Sequence, residues 1–373
     1  MPSTATEMAQ LFRRMREGLA AVLGFETAGG VAERAIFLSS VRVGPRQHAL
    51  LLIDEHGGEI GRMPLAGRGH DIAVDAAHHR VAVFARRPGY FAVIVDGRTL
   101  APLATIRPPE GHHFFGHGAF SADGRLLYTT ENVFTGEQPR GVIGVYDASG
   151  DYGRIGEFET HGMDSHEILL APDGRTLVVA NGGIETHPEF GRQKLNVADM
   201  RPSIVRIDST SGELQGETRL EAGLNQLSTR HMAFDGSGAL WFGCQWEGEK
   251  GRRPPLVGRI DADGEALLLP FPDAVAPLAR NYIGSVVASR DGTAIAASSP
   301  IGGTVFVFDA QRKALSATHT LRDGCGLAGA TDAGFLASAG DGRLMRVAGE
   351  TIEPITRVGA VEFDNHMRRI DLA

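Results

Sequence analysis

The chain has 373 residues, of which 22% are charged, and a formal net charge of −8 at pH 7. This length can bury a large core, and the charged fraction is ordinary for a folded protein rather than a disordered one. The negative charge and the lack of a basic stripe argue against nucleic acid as a partner, because phosphate-backbone binding needs clustered lysine and arginine. No run of about 18 apolar residues occurs, so we expect no membrane span.

Residues 1–33 form an N-terminal segment that precedes the repeats and has two competing interpretations. The basic stretch 12–16 followed by the apolar stretch 19–25 is typical of an export signal, although Glu26 ends it early. The same residues fit a short amphipathic helix, with Leu11, Met15, Leu19 and Val22 on one face. The residues alone leave both interpretations open.

From residue 34 onward the sequence repeats a unit of four short strands. The clearest copy begins with a strand and an Asp-Gly turn at 116–124, followed by apolar runs at 125–130, 141–147 and 154–158. Similar units start near residues 70, 117, 166, 231, 285 and 326, so successive starts are 41 to 65 residues apart. Blades of β-propellers typically run about 40–50 residues, so these spacings predict propeller blades.

The two ends of the chain complement each other. Residues 34–64 supply three strands but lack the first strand of the unit, and the last segment, 365–370, has the character of that missing strand. Pairing the two ends would close the ring and remove two exposed sheet edges. The sequence therefore predicts an all-β protein whose residues 34–373 form a seven-bladed β-propeller closed by the C-terminal strand.

Histidines concentrate at one position of the repeat. His70, His117, His166, His231 and His366 stand at or near the start of five inner strands, nearest the channel axis. The same face of the propeller receives loops carrying three further polar residues, which are Glu131, Glu185 and His187. Imidazoles that converge on an axis can hold a transition metal, and carboxylates can complete or orient such a site. We therefore predict a metal site, for iron or copper, formed by these eight residues at the channel mouth.

The register of the histidines places a condition on that prediction. His117 and His231 lie three residues before their matching apolar positions, whereas His70 and His166 lie four before theirs. In regular strands this difference would turn them toward opposite faces. A common focus therefore requires irregular strand starts.

Three other interpretations remain open at this point. The histidines could serve only as structural hydrogen-bonding groups. The long connection 181–202 could make the protein a metal-free interaction scaffold that docks a partner. A propeller hydrolase of the lactonase type would instead use an acid–base pair of Glu131 or Glu185 with His117.

Several stretches resemble a bacterial family known as a domain of unknown function, DUF1513. The matching stretches are 114–124, 128–132, 141–147, 166–174, 179–188, 241–245 and 364–366. The resemblance implies an exported, periplasmic protein, often with a twin-arginine signal, that accompanies iron-uptake proteins of the imelysin type. It also implies a link to metal acquisition, without establishing an activity.

Overall fold

The computed structural model describes residues 34–136, 139–191, 193–330 and 334–372. Within these ranges, 28 strands form seven sheets of four antiparallel strands each. This confirms the seven-bladed β-propeller. The two interpretations of residues 1–33 fall outside the described residues. In the described part of the chain, no helix has the length and apolar character needed to cross a lipid bilayer.

The strands have 4 to 11 residues each. In chain order they are β1 Arg34–Gly44, β2 Gln47–Asp54, β3 Glu59–Leu65, β4 Gly69–Asp75, β5 Arg80–Ala85, β6 Ala92–Asp96, β7 Pro102–Ile106, β8 His112–Phe120, β9 Leu126–Val133, β10 Arg140–Asp147, β11 Arg154–Glu159, β12 Ser165–Leu170, β13 Thr176–Asn181, β14 Ser203–Asp208, β15 Leu214–Arg219, β16 Leu227–Phe234, β17 Leu240–Trp246, β18 Val257–Ile260, β19 Ala266–Leu269, β20 Ser285–Ala288, β21 Ala294–Ser299, β22 Thr304–Asp309, β23 Ala314–Thr320, β24 Gly324–Gly329, β25 Phe335–Ala339, β26 Arg343–Ala348, β27 Thr351–Arg357 and β28 Glu362–Leu372. Short 3₁₀ helices lie at Pro188–Phe190, Val197–Asp199 and Ala276–Ala279.

Blades two to seven each use four consecutive strands, beginning at β4, β8, β12, β16, β20 and β24. The first strands of neighbouring blades contact one another, so these strands surround the central channel. The turns between first and second strands include Gly124 and Gly174, whose φ angles of +66° and +69° suit the Asp-Gly pairs of the sequence.

Blade one is assembled from both ends of the chain. Strand β28 pairs with β1 and is the inner strand of that blade, followed by β2 and β3. Side chains of β28 pack into the hydrophobic cores that blade one shares with its two neighbouring blades. Met367 and Phe363 pack with Phe37 against blade seven, and Ile370 packs against Val81 of blade two. The C-terminal strand therefore closes the ring, as the sequence predicts.

This closure generates a stability prediction. We expect Met367→Ala to lower the free energy of unfolding by about 2–5 kcal/mol, because a buried side chain is lost from the closing strand. The control is Ile155→Ala on β11, where the side chain is 61% exposed and the change should stay within about 0.5 kcal/mol. Chemical denaturation monitored by circular dichroism measures both variants. Equal effects of the two changes would contradict the closure.

Candidate metal centre

Five inner strands each carry one histidine of a group that is called the cluster below: His70, His117, His166, His231 and His366. Each of these strands departs from regular pairing at its histidine. The breaks lie between Gly69 and Ile72, Phe114 and Gly118, Ser165 and Glu167, Thr229 and Met232, and Phe363 and Met367. A bulge leaves its residues outside the ladder and redirects their side chains. The irregular strand starts that the sequence required are therefore present, and they turn the five imidazoles to one place.

The bulge of β8 depends on a glycine. Gly116 has a φ of +105°, and a Cβ at this position would lie 2.8 Å from Cδ2 of His70. Any larger residue would therefore be strained in its backbone and would press on the neighbouring imidazole. The close approach of His117 to His70 follows from this glycine.

The five histidine rings form one contiguous cluster. His117 contacts the other four, with ring-centroid distances of 5.0 Å to His70, 4.9 Å to His366, 5.3 Å to His166 and 5.6 Å to His231. All five side chains are buried, with residue exposures of 5% or less. Among the described residues, blades six and seven contribute no histidine to the cluster.

Two of the imidazoles are oriented by buried carboxylates. Nδ1 of His70 lies 2.9 Å from Oδ1 of Asp364, and Nδ1 of His117 lies 2.9 Å from Oδ2 of Asp71. Since a carboxylate can only accept, each Nδ1 donates its proton and each Nε2 keeps its lone pair. Metal-binding histidines in proteins are commonly oriented in this way.

A buried ion network lies directly beside the cluster. Arg368 donates to Asp71 through Nε and Nη2, both at 2.8 Å, and Nη2 also donates to Glu167 at 2.9 Å. The second Glu167 oxygen accepts the backbone N–H of Met232 at 2.5 Å. Burial alone would raise the pKa of Asp71, yet the charge of Arg368 and the hydrogen bond from His117 hold it well below its usual range. Two ionised carboxylates thus share one arginine next to the imidazoles.

Burial favours the uncharged form of four of the five imidazoles. It lowers the pKa of His70 to about 3, against the opposing effect of Asp364. Burial also lowers the pKa of His231, and it lowers those of His166 and His366 well below the usual value. At neutral pH these side chains are therefore in the form that binds metal ions.

Three nitrogens of the cluster have no hydrogen-bond partner among the described residues: Nε2 of His117, Nε2 of His366 and Nδ1 of His231. A buried polar atom left in this state is costly unless a ligand satisfies it. Ligand atoms of His70, His117 and His366 lie within 4.8 Å of one another, and the same holds for His117 with His166 and His231. Donor atoms bonded to one ion at about 2.0–2.1 Å lie within about 4.2 Å of one another. Small rotations of the rings would therefore bring the nitrogens of either group close enough to bind one ion.

His166 is the weaker ligand of the second group. Nη1 of Arg230 lies 3.2 Å from its Nδ1, and because a guanidinium can only donate, this nitrogen must accept. The neutral ring then carries its proton on Nε2 and offers no lone pair there. The group of His70, His117 and His366 is therefore the better ligand set.

The structure places Glu131 in a different environment. Its carboxylate is fully buried inside blade three, where it accepts hydrogen bonds from Thr129, Tyr146 and Arg154 and pairs with His112 at 2.9 Å. It belongs to none of the groups that could hold a metal among the described residues. Glu131, which the sequence predicts at the channel mouth, therefore has its carboxylate held by these partners inside blade three.

Glu185 and His187 also lie apart from the cluster, in the connection 181–202. The backbone N–H of Glu185 donates to Asn196 at 2.7 Å, which holds the connection together. His187 lines a cavity of about 500 Å³ at the channel mouth. His70, His166 and His231 line the same cavity, so the connection 181–202 forms part of the wall above the cluster.

The residues that the sequence did not single out are the charged partners Asp71, Glu167, Arg230, Asp364 and Arg368. A signal for them was present, because Asp71, Glu167 and Arg230 each adjoin a cluster histidine in the chain. Charged residues are rarely buried without partners, so a charge at the start of an inner strand implies a partner across the channel.

No curated protein is detectably similar to this chain. A functionally unknown protein from Desulfotomaculum acetoxidans shares the fold, with a TM-score of 0.62 and 15% identity over 92% of this chain and 100% of that one. Hydrazine synthase of Kuenenia stuttgartiensis has a TM-score of 0.58 and 15% identity over 84% of this chain and 90% of that one. At such identity these likenesses concern the fold alone.

The family described as protein of unknown function, DUF1513, matches residues 63–370. This range begins within blade one and ends in the closing strand, so it takes in every histidine of the cluster. The chain therefore belongs to the DUF1513 family.

Proposed function

We propose that this protein binds a transition metal ion, copper or iron, through His70, His117 and His366 at the mouth of the propeller channel. The observation that supports this most directly is the pair of buried Nε2 atoms, on His117 and His366, that have no partner among the described residues. Imidazole nitrogen suits copper and iron, and neutral rings need not lose a proton to bind either.

The surroundings of the three ligands support the same proposal. Asp364 and Asp71 orient two of the rings, and the layer of Asp71, Glu167 and Arg368 has one more negative charge than positive. An excess negative charge at this depth favours a cation nearby, because screening by water is weak there. His231, whose ring centroid lies 4.7 Å from that of His366, is placed to serve as a fourth ligand.

The position of the site bears on its role. His70 and His231 line the cavity of about 500 Å³, so a small molecule in the cavity would reach the metal. This supports metal acquisition or redox handling rather than a purely structural ion. The periplasmic setting and an imelysin-type partner are further parts of the proposal, and they rest on the family resemblance.

One observation favours the scaffold alternative. Phe190 and Leu195 of the connection 181–202 are 56% and 40% exposed, and two large apolar side chains exposed on one connection are compatible with a docking surface. The lactonase alternative finds less support. The polar partners of Glu131 are His112, Thr129, Tyr146 and Arg154, and these do not include His117.

The metal proposal predicts a stoichiometry and its dependence on one residue. Protein produced without a histidine tag should retain or take up about one equivalent of copper or iron, measured by inductively coupled plasma mass spectrometry. His117→Ala should weaken binding by more than the roughly 10–100-fold that loss of an orienting carboxylate causes, because His117 belongs to every candidate group.

Two controls accompany this measurement. His187→Ala removes an imidazole that lies in the cavity wall but outside the candidate groups, so metal content should be unchanged. Circular dichroism should show that His117→Ala still folds. Absence of stoichiometric copper or iron in the wild type, or equal loss in both variants, would refute the proposal.

The lowered pKa values predict how metal release depends on pH. Protons compete with the metal for the imidazoles, and at a solvated histidine this competition weakens metal binding once the pH falls below the pKa of about 6.5. Since burial lowers the pKa of His70 to about 3, the site should keep its metal as pH falls through 6.5 and lose it on the approach to 3. Metal content after dialysis across this range measures the effect. Half-release at pH 6.5 would show that the ligands are solvated.

A further inference from the structure

The cavity above the histidine cluster is surrounded by positive charge. Its volume of about 500 Å³ suits a small molecule. Five cationic side chains line it, namely Arg68, Arg86, Arg87, Lys194 and Arg230. None of the described residues that line it is acidic.

Buried carboxylates behind the lining offset only part of this charge. Asp364 pairs with Arg68 at 2.5 Å, Asp164 pairs with Arg87 at 2.9 Å, and Glu247 forms an ion pair with Lys194. Three carboxylates thus stand behind five cations, and one of the three, Asp364, is shared by Arg68 and Arg86. The cavity therefore has an electrostatic preference for an anion.

Arg230 is one of the five cationic residues of the cavity lining. The residue is only 4% exposed, and its nearest carboxylates, Glu247 and Asp164, lie at 3.7 and 3.8 Å, beyond hydrogen-bond distance. Its Nε has no partner within the described chain, and Nη1 donates to the neutral ring of His166. A buried guanidinium without a hydrogen-bonded counter-charge is costly. Such a group at the wall of a cavity is positioned to receive an anion.

A second guanidinium lies close to the first. Arg87 and Arg230 share Asp164 as a neighbour, at 2.9 and 3.8 Å. Two planar guanidinium groups on one cavity wall match the paired oxygens of a carboxylate or of a tetrahedral oxyanion. His231, a member of the metal cluster, lines the same cavity.

We propose that this cavity binds a small anion, a carboxylate or an inorganic oxyanion, between Arg230 and Arg87 and directly above the histidine cluster. This names the substrate class of the proposed metal site and in that respect rests on the proposed function. The arginines would hold the charged group of the substrate, and the neighbouring open face of the metal would meet the remainder of the molecule.

Isothermal titration calorimetry of the full chain tests this, with malonate, inorganic phosphate and uncharged malonamide as probes. At least one anion should bind and malonamide should not, and the preferred anion distinguishes a carboxylate site from a phosphate site. Arg230→Gln should weaken anion binding by at least about tenfold. If that variant fails to fold, Arg87→Gln, whose side chain is 28% exposed, tests the same wall.

The matched control is Arg175→Gln. Arg175 is 73% exposed, pairs with Asp208 and lies in a turn between first and second strands, away from the cavity. This variant removes the same charge as Arg230→Gln but from a residue outside the cavity. The anion affinity of the Arg175→Gln protein should therefore stay within about twofold of the wild type. Binding of malonamide equal to that of the anions, or equal losses in Arg230→Gln and Arg175→Gln, would overturn the proposal.

Titrations with metal-free and copper-loaded protein separate this proposal from the metal site. Anion binding by a protein that takes up no metal would refute the proposed function and leave the anion site standing. Metal uptake without binding of either anion would refute the anion site alone. Binding of both, with an anion-induced change in the visible spectrum of the copper-loaded protein, is the result we expect.

Discussion

A regular β-strand alternates its side chains between two faces, so histidines at different offsets on neighbouring inner strands would point in opposite directions. In this protein a break in the pairing surrounds each of the five cluster histidines and frees it from that alternation. Inner strand β20 keeps a regular register over Ser285–Ala288 and carries no histidine. The bulges are therefore the feature on which the cluster depends.

Once the rings converge, burial and charge divide the channel into layers. Burial favours the neutral form of His70, His166, His231 and His366, while Asp71, Glu167 and Arg368 next to the cluster are ionised and hydrogen-bonded together. A pocket of about 280 Å³ is lined by Arg368 together with Met232 and Val286. The cavity at the mouth is cationic. A cation held by the rings would thus lie between an acidic layer and a basic cavity.

The position of the cluster on the ring follows from closure. His366 lies on β28, and its neighbour Asp364 bonds His70 across 294 positions of sequence. Blade seven also has a register break, between Gly324 and Leu327, but it places Cys325 there instead of a histidine. Burial raises the pKa of this thiol to about 12, so it is protonated at neutral pH.

The sequence by itself determined the number of blades, the closure by residues near 366 and the face on which the histidines gather. These follow from local signals: turn residues, apolar alternation and a position within a repeat. It also indicated that irregular strand starts were needed, because the offsets of three and four residues could be counted directly.

Only the tertiary structure decided which polar residues share a site. Glu131 was expected at the metal, yet its side chain lies in a network inside blade three, because the direction of a side chain near a strand end depends on pairing that the sequence does not specify. Arg230 and Arg368 interact with charged residues of other blades. A single sequence does not show which distant residues come into contact, so these pairs could not be predicted from it.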